Sequence, residues 1–477
     1  MAHQSQGGEN RLQGNSIGIA HIVFFVVAAA APMTAVVGAT PPAFAFGNGA
    51  GVPGSFILSG LLYLLFSVGF TAMSRHVKGA GAFYAYISRG LGPIVGIGGA
   101  FMALLAYFAV QIGIYALFGV FMAGTMEGLG IAAPWWVWAP LALIVVVLFG
   151  RRNIAISGRI LGACMLAELA ILLVLDIAIV VHGGAEGLSF AGFEPAQVFA
   201  PGLGATLVFV LGSYVGFEAT AIFGEEARQP ERTIPRATYV AVVLITLFYA
   251  FSTWAIVQFY GPSTVQQTAA ASLDGFYFAA AETLLGPWAV GLMNILLLTS
   301  LFACLLSFHN TLNRYFYTLG KEGLAWAALG AVHLRHGSPH VAGVVQAVLV
   351  ALILLGFALS GADAYTVVFS WMSALTVLAI LAVQALVSVA VIAFFRSAPG
   401  ARPSFTTTIA PALATIGLSG AFVLVCSNLP MLTGSDSRLV MALPVLVIGI
   451  GLLGGAIALW LRAARPVLFA RLGRTFE

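Results

Sequence analysis

Apolar runs long enough to cross a bilayer recur along almost the whole chain, separated by short polar or Gly/Pro-rich punctuation. A spanning helix needs about 20 apolar residues. On that measure the pattern predicts about twelve spans, near 17–46, 52–73, 90–124, 134–150, 157–182, 203–224, 236–260, 284–317, 339–360, 363–395, 407–429 and 439–462. Two of these runs are interrupted. In the first, AAAAPMTAVVG (28–38) sets Pro32 inside the run, with Gly38, Pro41 and Pro42 soon after; proline removes a backbone donor and clashes with the carbonyl four residues back. In the sixth, Gly212, Ser213 and Gly216 sit at the centre, where glycine weakens helix and permits close backbone approach. Glycines also serve ordinary helix contacts in membranes. Interrupted backbone survives in lipid only where it faces protein or a water-filled cavity, so both stretches are candidate binding sites.

The two interrupted runs are five spans apart, which is the spacing of an inverted repeat of five plus five helices with the substrate site at its discontinuous helices. Hydropathy alone carries this symmetry, since no residue-level repeat is visible. The predicted organisation is a tail (1–16), a first five-helix repeat (17–182), a second (203–395), helices eleven and twelve (407–462) and a final tail (463–477). Spans eleven and twelve hold no ionisable residue at depth and read as additions outside the repeat, serving lipid contact or self-association.

Composition narrows the class. Charged residues make up 8% of 477 positions, hydrophobic ones 61%, and the mean hydropathy is +1.03. This is an all-α polytopic membrane protein, not a soluble enzyme. The first sixteen residues are polar and the first apolar run is too long for a signal h-region, so no cleavable signal peptide is expected. Cys164, Cys304 and Cys426 lie in different apolar runs and read as core packing. Nothing calls for a metal, another cofactor or a nucleic-acid partner.

Charge placement sets the topology. One set of alternate loops carries Arg75, Lys78, Arg89, Arg151, Arg152, Arg228, Arg232, Arg236, Lys321, Arg335, Arg396 and Arg402, and the termini add five more arginines. The opposite loops carry only Arg438 among basic residues, with Glu127, Glu186, Glu194, Asp274, Asp363 and Asp436. The positive-inside rule then places both termini in the cytoplasm of a cell (inner) membrane protein.

Candidate chemistry follows from polar residues at depth. Tyr107, Gln111 and Tyr115 are spaced four apart and share a helix face, which in lipid turns to the bundle interior. Glu168 and Asp176 sit in span five; intramembrane carboxylates are functional candidates by default, commonly proton or ion relays. Asp176 is nearer the outer end, where water is within reach. The segment MSRHVKGAGAFYAYISRGLG (73–92) reads as a basic anchor with a short interfacial helix, or as part of a gate. His309, near the end of span eight, reads first as a hydrogen-bonded structural residue.

Three of these stretches carry a resemblance: MSRHVKGAGAFYAYISRGLG after span two, GFEATAIFGEEARQPERTIPRA (216–237) through the end of span six, and NRYFYTLGKEG followed by SPHVAGVVQ (338–346). In this order and in these loops they resemble the amino acid–polyamine–organocation (APC) superfamily, in its bacterial amino acid permease branch, over about the first 395 residues. The resemblance implies a LeuT-like five-plus-five core with helices 1 and 6 discontinuous, plus two C-terminal helices. It places substrate contacts on Ala30, Ala31, Pro32, Met33 and Thr34 in span one, and on Leu211, Gly212, Ser213, Tyr214 and Gly216 in span six. Tyr107, Gln111 and Phe209 complete an apolar and aromatic lining that suits a small or neutral side chain. Half-helix N-termini offer free N–H groups to a carboxylate, and exposed carbonyls accept from an ammonium.

Two positions depart from the family pattern. The usual Gly-small-Gly of span one is replaced by APMT, which favours a kink at Pro32 over full unwinding. The span-five position where proton-coupled relatives place a lysine is Glu168, a proton acceptor or a cation ligand instead. The expected function is therefore a secondary active transporter, not an enzyme, for an amino acid or related amine, with proton-coupled uptake by alternating access. Glu168 is the coupling candidate; Glu218 is a gate or second relay, or a cap that pins the broken helix. An exchanger or facilitator without proton coupling is the alternative.

Overall fold

Proline and glycine decide where the helices start. In the computed structural model, which describes residues 19, 23, 27, 30–77, 82–151, 158–218, 229–333, 338–397, 403–433 and 437–469, the chain is helical with no strand among the described residues. The first repeat holds α1 (Thr34–Phe46), α2 (Val52–Ser74), α3 (Ala82–Leu91), α4 (Pro93–Glu127), α5 (Trp135–Arg151) and α6 (Gly158–His182). The second holds α7 (Leu203–Gly212), α8 (Pro230–Tyr260), α9 (Val265–Ala271), α10 (Phe276–Leu285), α11 (Pro287–Lys321), α12 (His340–Leu359) and α13 (Ala364–Arg396). Then come α14 (Phe405–Leu432) and α15 (Leu443–Ala464). Helices α2, α4, α8, α11 and α15 carry proline in the first turn, where the missing N–H has no partner to lose.

Nine of these helices are long and apolar enough to cross a membrane among the described residues, and α1, α5, α7 and α10 are shorter apolar helices. The twelve predicted spans are thus all represented by helix. The surplus lies in short elements between the predicted spans: α3 along the basic face, where a short interfacial helix was expected, and α9 and α10 on the opposite face.

The repeat does have a residue-level trace, contrary to the expectation above. α3 is 10 residues long and is followed by Leu91-Gly92-Pro93 and the 35-residue α4; α10 is 10 residues long and is followed by Leu285-Gly286-Pro287 and the 35-residue α11. Gly92 (φ 91°, ψ 163°) and Gly286 (φ 90°, ψ 179°) hold the same backbone conformation, one that is essentially reserved for glycine. A three-residue signature separated by nearly two hundred positions is invisible to a hydropathy scan. It marks equivalent corners on opposite faces of the membrane, as inverted topology requires.

Close packing joins the halves. Gly60 on α2 faces Thr246 on α8 so closely that a Cβ would lie 2.2 Å from its hydroxyl oxygen, the small-residue approach typical of membrane helices. α14 does more than meet lipid: a Cβ on Gly204 of α7 would stand 2.1 Å from the Leu424 carbonyl. It buttresses the first half of broken span six directly.

Candidate functional site

Span one is broken at Ala30–Ala31, one residue before the proline. Residues preceding proline are disfavoured in right-handed helix, although Ala139 and Ile234 adopt it before Pro140 and Pro235; Ala31 adopts φ 46°. Pro32 then opens a new helical segment, as suits a residue with no N–H. Its next turns, Thr34–Ala39, are wound as a π-helix, a form common at functional positions. The exposed main chain at the break finds remote partners. Tyr249 Oη on α8 donates to the Ala30 carbonyl (3.2 Å), and Met33 N–H donates to Glu168 Oε2 on α6 (3.2 Å). Sequence reasoning placed a kink at Pro32; the observed break is sharper and lies at Ala31, whose backbone is left-handed at φ 46°.

Span six stops at Gly212 and continues as tight turns, with Tyr214 N–H to Leu211 O (3.2 Å) and Val215 N–H to Gly212 O (3.1 Å). Gly216 takes φ 113°, a conformation that needs glycine. Its N–H donates to Glu218 Oε2 (2.9 Å), while Tyr107 Oη donates to Glu218 Oε1 (2.8 Å). The predicted second half of the span and its loop, 219–228, lie outside the described residues.

Between the two breaks lies a cavity of about 70 Å³, several times what one water needs. Of the residues singled out from sequence, Ala30, Ala31, Thr34, Phe209, Gly212 and Ser213 line it. The others stand behind the wall. Pro32 and Met33 start the helix; Leu211 O accepts from Tyr63 Oη (3.5 Å), and Tyr214 Oη is turned to Thr246 Oγ1 (2.9 Å) and the Phe56 carbonyl (3.2 Å). Gln111 is fully buried between cavity-lining Val110 and Ile114. Tyr107 and Gly216 meet at Glu218, on the side nearer the basic face.

Sequence reasoning missed the contributions of α11 and α13: Cys304 and Phe308 from one, Phe369, Ser373 and Thr376 from the other. Their signal was present as polar residues three or four apart within apolar spans, Ser373 with Thr376 above all. Cys304 is a free thiol in the cavity wall, not only core packing. No charged side chain is among the described residues lining the cavity.

Aromatic pairs flank the cavity on both sides. Toward the basic face, Tyr107 packs on Phe308 (6.1 Å between ring centroids) and on Tyr315 (5.5 Å). Toward the other face, Phe209 stacks on Phe369 (5.9 Å), and Tyr365 Oη donates to the Gly38 carbonyl (2.6 Å).

Both span-five carboxylates are buried. Glu168 Oε2 accepts from Met33 N–H and from Ser300 Oγ on α11 (2.9 Å), and Ser300 Oγ in turn accepts from Thr34 Oγ1 (3.1 Å). A buried carboxylate requires such donors. Asp176 does not reach water as expected: it is 1% exposed and accepts from Ser252 Oγ at 2.5 Å. The unpredicted α10 packs against α6 at that end. His309 is buried against Gln346, with Gly150 and Gly343 leaving space for its ring.

The sequence profile described as Amino acid permease matches residues 21–458. The chain belongs to the amino acid permease family. Among curated relatives, the low-affinity putrescine importer PlaP of Escherichia coli (strain K12) is 23% identical over 334 residues, 67% of this chain and 71% of that one. The gamma-aminobutyric acid permease of Bacillus subtilis (strain 168) is 25% identical over 289 residues, 58% of this chain and 59% of that one. The human cystine/glutamate transporter is 23% identical over 309 residues, 62% and 59%. A solved manganese transporter from Eremococcus coleocola shares the fold, with TM-score 0.59 at 14% identity over 98% of this chain and 99% of that one. This permease is a multi-pass, LeuT-like membrane protein of a family made up of transporters.

Proposed function

We propose that this permease is a secondary active transporter of a small zwitterionic amino acid or a close amine relative, taken up by alternating access with a proton. The observation that carries the reading is the cavity between two broken helices, with a buried carboxylate directly behind its wall: Glu168 holds the Met33 N–H and, through Ser300, the cavity-lining Thr34. At the break at Ala31 and the turn at Ser213–Gly216, carbonyl oxygens keep a second lone pair for an ammonium, and the wall includes the hydroxyl residues Thr34 and Ser213. The absence of charged side chains from the wall favours a substrate that brings both charges itself.

Glu168 is the coupling residue in this reading, because a buried group that exchanges one proton between the two faces ties substrate movement to a pH gradient. Glu218 is the gate on the basic side: it joins the turn at Gly216 to Tyr107, which packs on Tyr315. The protein sits in the cell membrane with the basic face and both termini in the cytoplasm.

Proteoliposomes test this. Purified protein is expected to accumulate a labelled amino acid from a panel that includes 4-aminobutyrate and putrescine, above equilibrium, when the vesicle interior is alkaline and contains no substrate. Uptake only against preloaded substrate, indifferent to the pH gradient, would replace this reading with that of an exchanger.

A further inference from the structure

Thr34, Ser300 and Glu168 form a chain of three hydrogen-bonding groups with a fixed direction. Thr34 Oγ1 lies 3.1 Å from Ser300 Oγ, which lies 2.9 Å from Glu168 Oε2. An ionised carboxylate only accepts, so Ser300 spends its single proton on Glu168 and must accept from Thr34. Thr34, which helps form the cavity wall, then has no proton left for the cavity and presents lone pairs alone. Put a proton on Glu168 and the chain can run the other way. The carboxyl O–H donates to Ser300, Ser300 donates to Thr34, and the Thr34 hydroxyl is free to donate into the cavity.

We propose that this triad is a polarity switch: protonation of Glu168 converts Thr34 from an acceptor into a donor for the substrate carboxylate, so that proton and carboxylate are loaded together. The inference rests on the transporter reading above and adds to it a mechanism and a selectivity. By linkage, a carboxylate that binds best to the protonated form must in turn favour protonation of Glu168. An amine with no carboxylate gains nothing from the donor state. Thr34 and Ser300 thereby become positioning residues for coupling.

The switch is electrostatically isolated. The titratable groups that bear on Glu168 from the packed helices are Tyr249 on α8 and Cys304 on α11, both uncharged at neutral pH. On α10, Tyr277 stands nearer the other carboxylate of α6, Asp176. No lysine, arginine or histidine among the described residues bears on Glu168, so the proton on Glu168 is the charge that changes.

The test uses matched ligands that differ in the carboxylate: 4-aminobutyrate against putrescine, and L-leucine against isopentylamine. Equilibrium binding of each to the full chain in nanodiscs is measured from mildly acidic to mildly alkaline pH. For an amino acid that binds, affinity is expected to tighten on acidification by up to about tenfold per pH unit, the limit for one linked proton, while its carboxylate-free partner shows no such gain. Thr34→Val and Ser300→Ala cut the chain and flatten that slope; Thr34→Ser keeps the hydroxyl and restores it. Glu168→Gln, whose amide donates as a carboxyl does, holds the amino acid equally well at every pH. Tight amino acid binding without a pH slope in the unmodified protein overturns the switch and leaves the transporter reading standing, as does a full slope in Thr34→Val. Failure of every amino acid to bind or accumulate at any pH overturns both.

Discussion

The two helix breaks meet at one cavity but are held in opposite ways. At the break in span one the free main chain is captured from far away: Tyr249 reaches the Ala30 carbonyl across 219 residues of sequence, and Glu168 reaches the Met33 N–H across 135. At the break in span six, capture is local, by successive short-range turns and by Glu218 on a glycine two residues before it. Among the described residues, Tyr107 arrives there from a distant helix with a hydrogen bond to the carboxylate, and Tyr63 on α2 with a long one to the Leu211 carbonyl (3.5 Å). Span one is therefore a joint whose geometry depends on α6, α8 and α11 at once, and span six is a hinge written into its own sequence. A coupling residue belongs at the joint, where its state is felt by three helices. A gate belongs at the hinge.

The largest test of that division is Glu168→Gln. It leaves a donor and an acceptor of the same size at the joint, so folding and binding are expected to persist. Uptake against a concentration gradient is expected to disappear, leaving equilibration and exchange. Proteoliposomes with and without a pH gradient read this directly, and accumulation as strong as in the unmodified protein would remove Glu168 from the coupling role. The corresponding change at the hinge, Glu218→Gln, is expected to preserve gradient-driven accumulation at a lower rate.

Gly216→Ala comes next. At φ 113° an alanine is forced into a region that costs about 1–3 kcal/mol, in a turn held by its own short-range bonds. The expected result is a lower unfolding temperature in detergent together with slowed transport. An unchanged temperature would mean that the hinge relaxes to ordinary backbone, and the contrast between the breaks would lose its basis.

How much of this was legible beforehand also divides along the same line. The existence, spacing and approximate position of both breaks followed from Pro32 and from Gly212, Ser213 and Gly216, because backbone preference is a local property. What no local property reports is the partner across the fold. That Met33 faces Glu168 was hidden, although both residues were singled out, because the contact joins positions 135 apart. Ser300, Ser373 and Thr376 passed as ordinary hydroxyls in apolar spans, where such side chains usually bond back to their own helix, as Thr376 does to the Met372 carbonyl (2.7 Å). Asp176 was assigned to water because it lies near the outer end of its span, and α10, most of which falls in the loop between predicted spans seven and eight, is what packs over that end of α6.

A smaller effect is expected from Tyr107→Phe. It keeps the ring packed between Phe308 and Tyr315 but removes the 2.8 Å hydrogen bond to Glu218. Hydrogen bonds between membrane helices are worth on the order of 1 kcal/mol, which corresponds to about a fivefold change in an opening equilibrium. Downhill transport through the basic side should rise by no more than that factor, with accumulation at steady state slightly reduced. A block of transport would instead assign Tyr107 a direct role with the substrate.

The smallest effect sharpens the comparison most. Ala31 holds φ 46°, and an L-residue there carries about 1–2 kcal/mol of steric cost. Ala31→Gly removes that cost but makes the unfolded chain more flexible, which takes back about 0.4–1 kcal/mol. The net change in stability should lie between about zero and about 1.6 kcal/mol on the stabilising side, far from the loss expected for Gly216→Ala. Binding should weaken slightly, because Ala31 is part of the cavity wall and a looser joint is less well organised before substrate arrives. If thermal unfolding instead shows Ala31→Gly to be as damaging as Gly216→Ala, then the alanine methyl holds the joint by contact, and proline's restriction of its predecessor is not what keeps span one open.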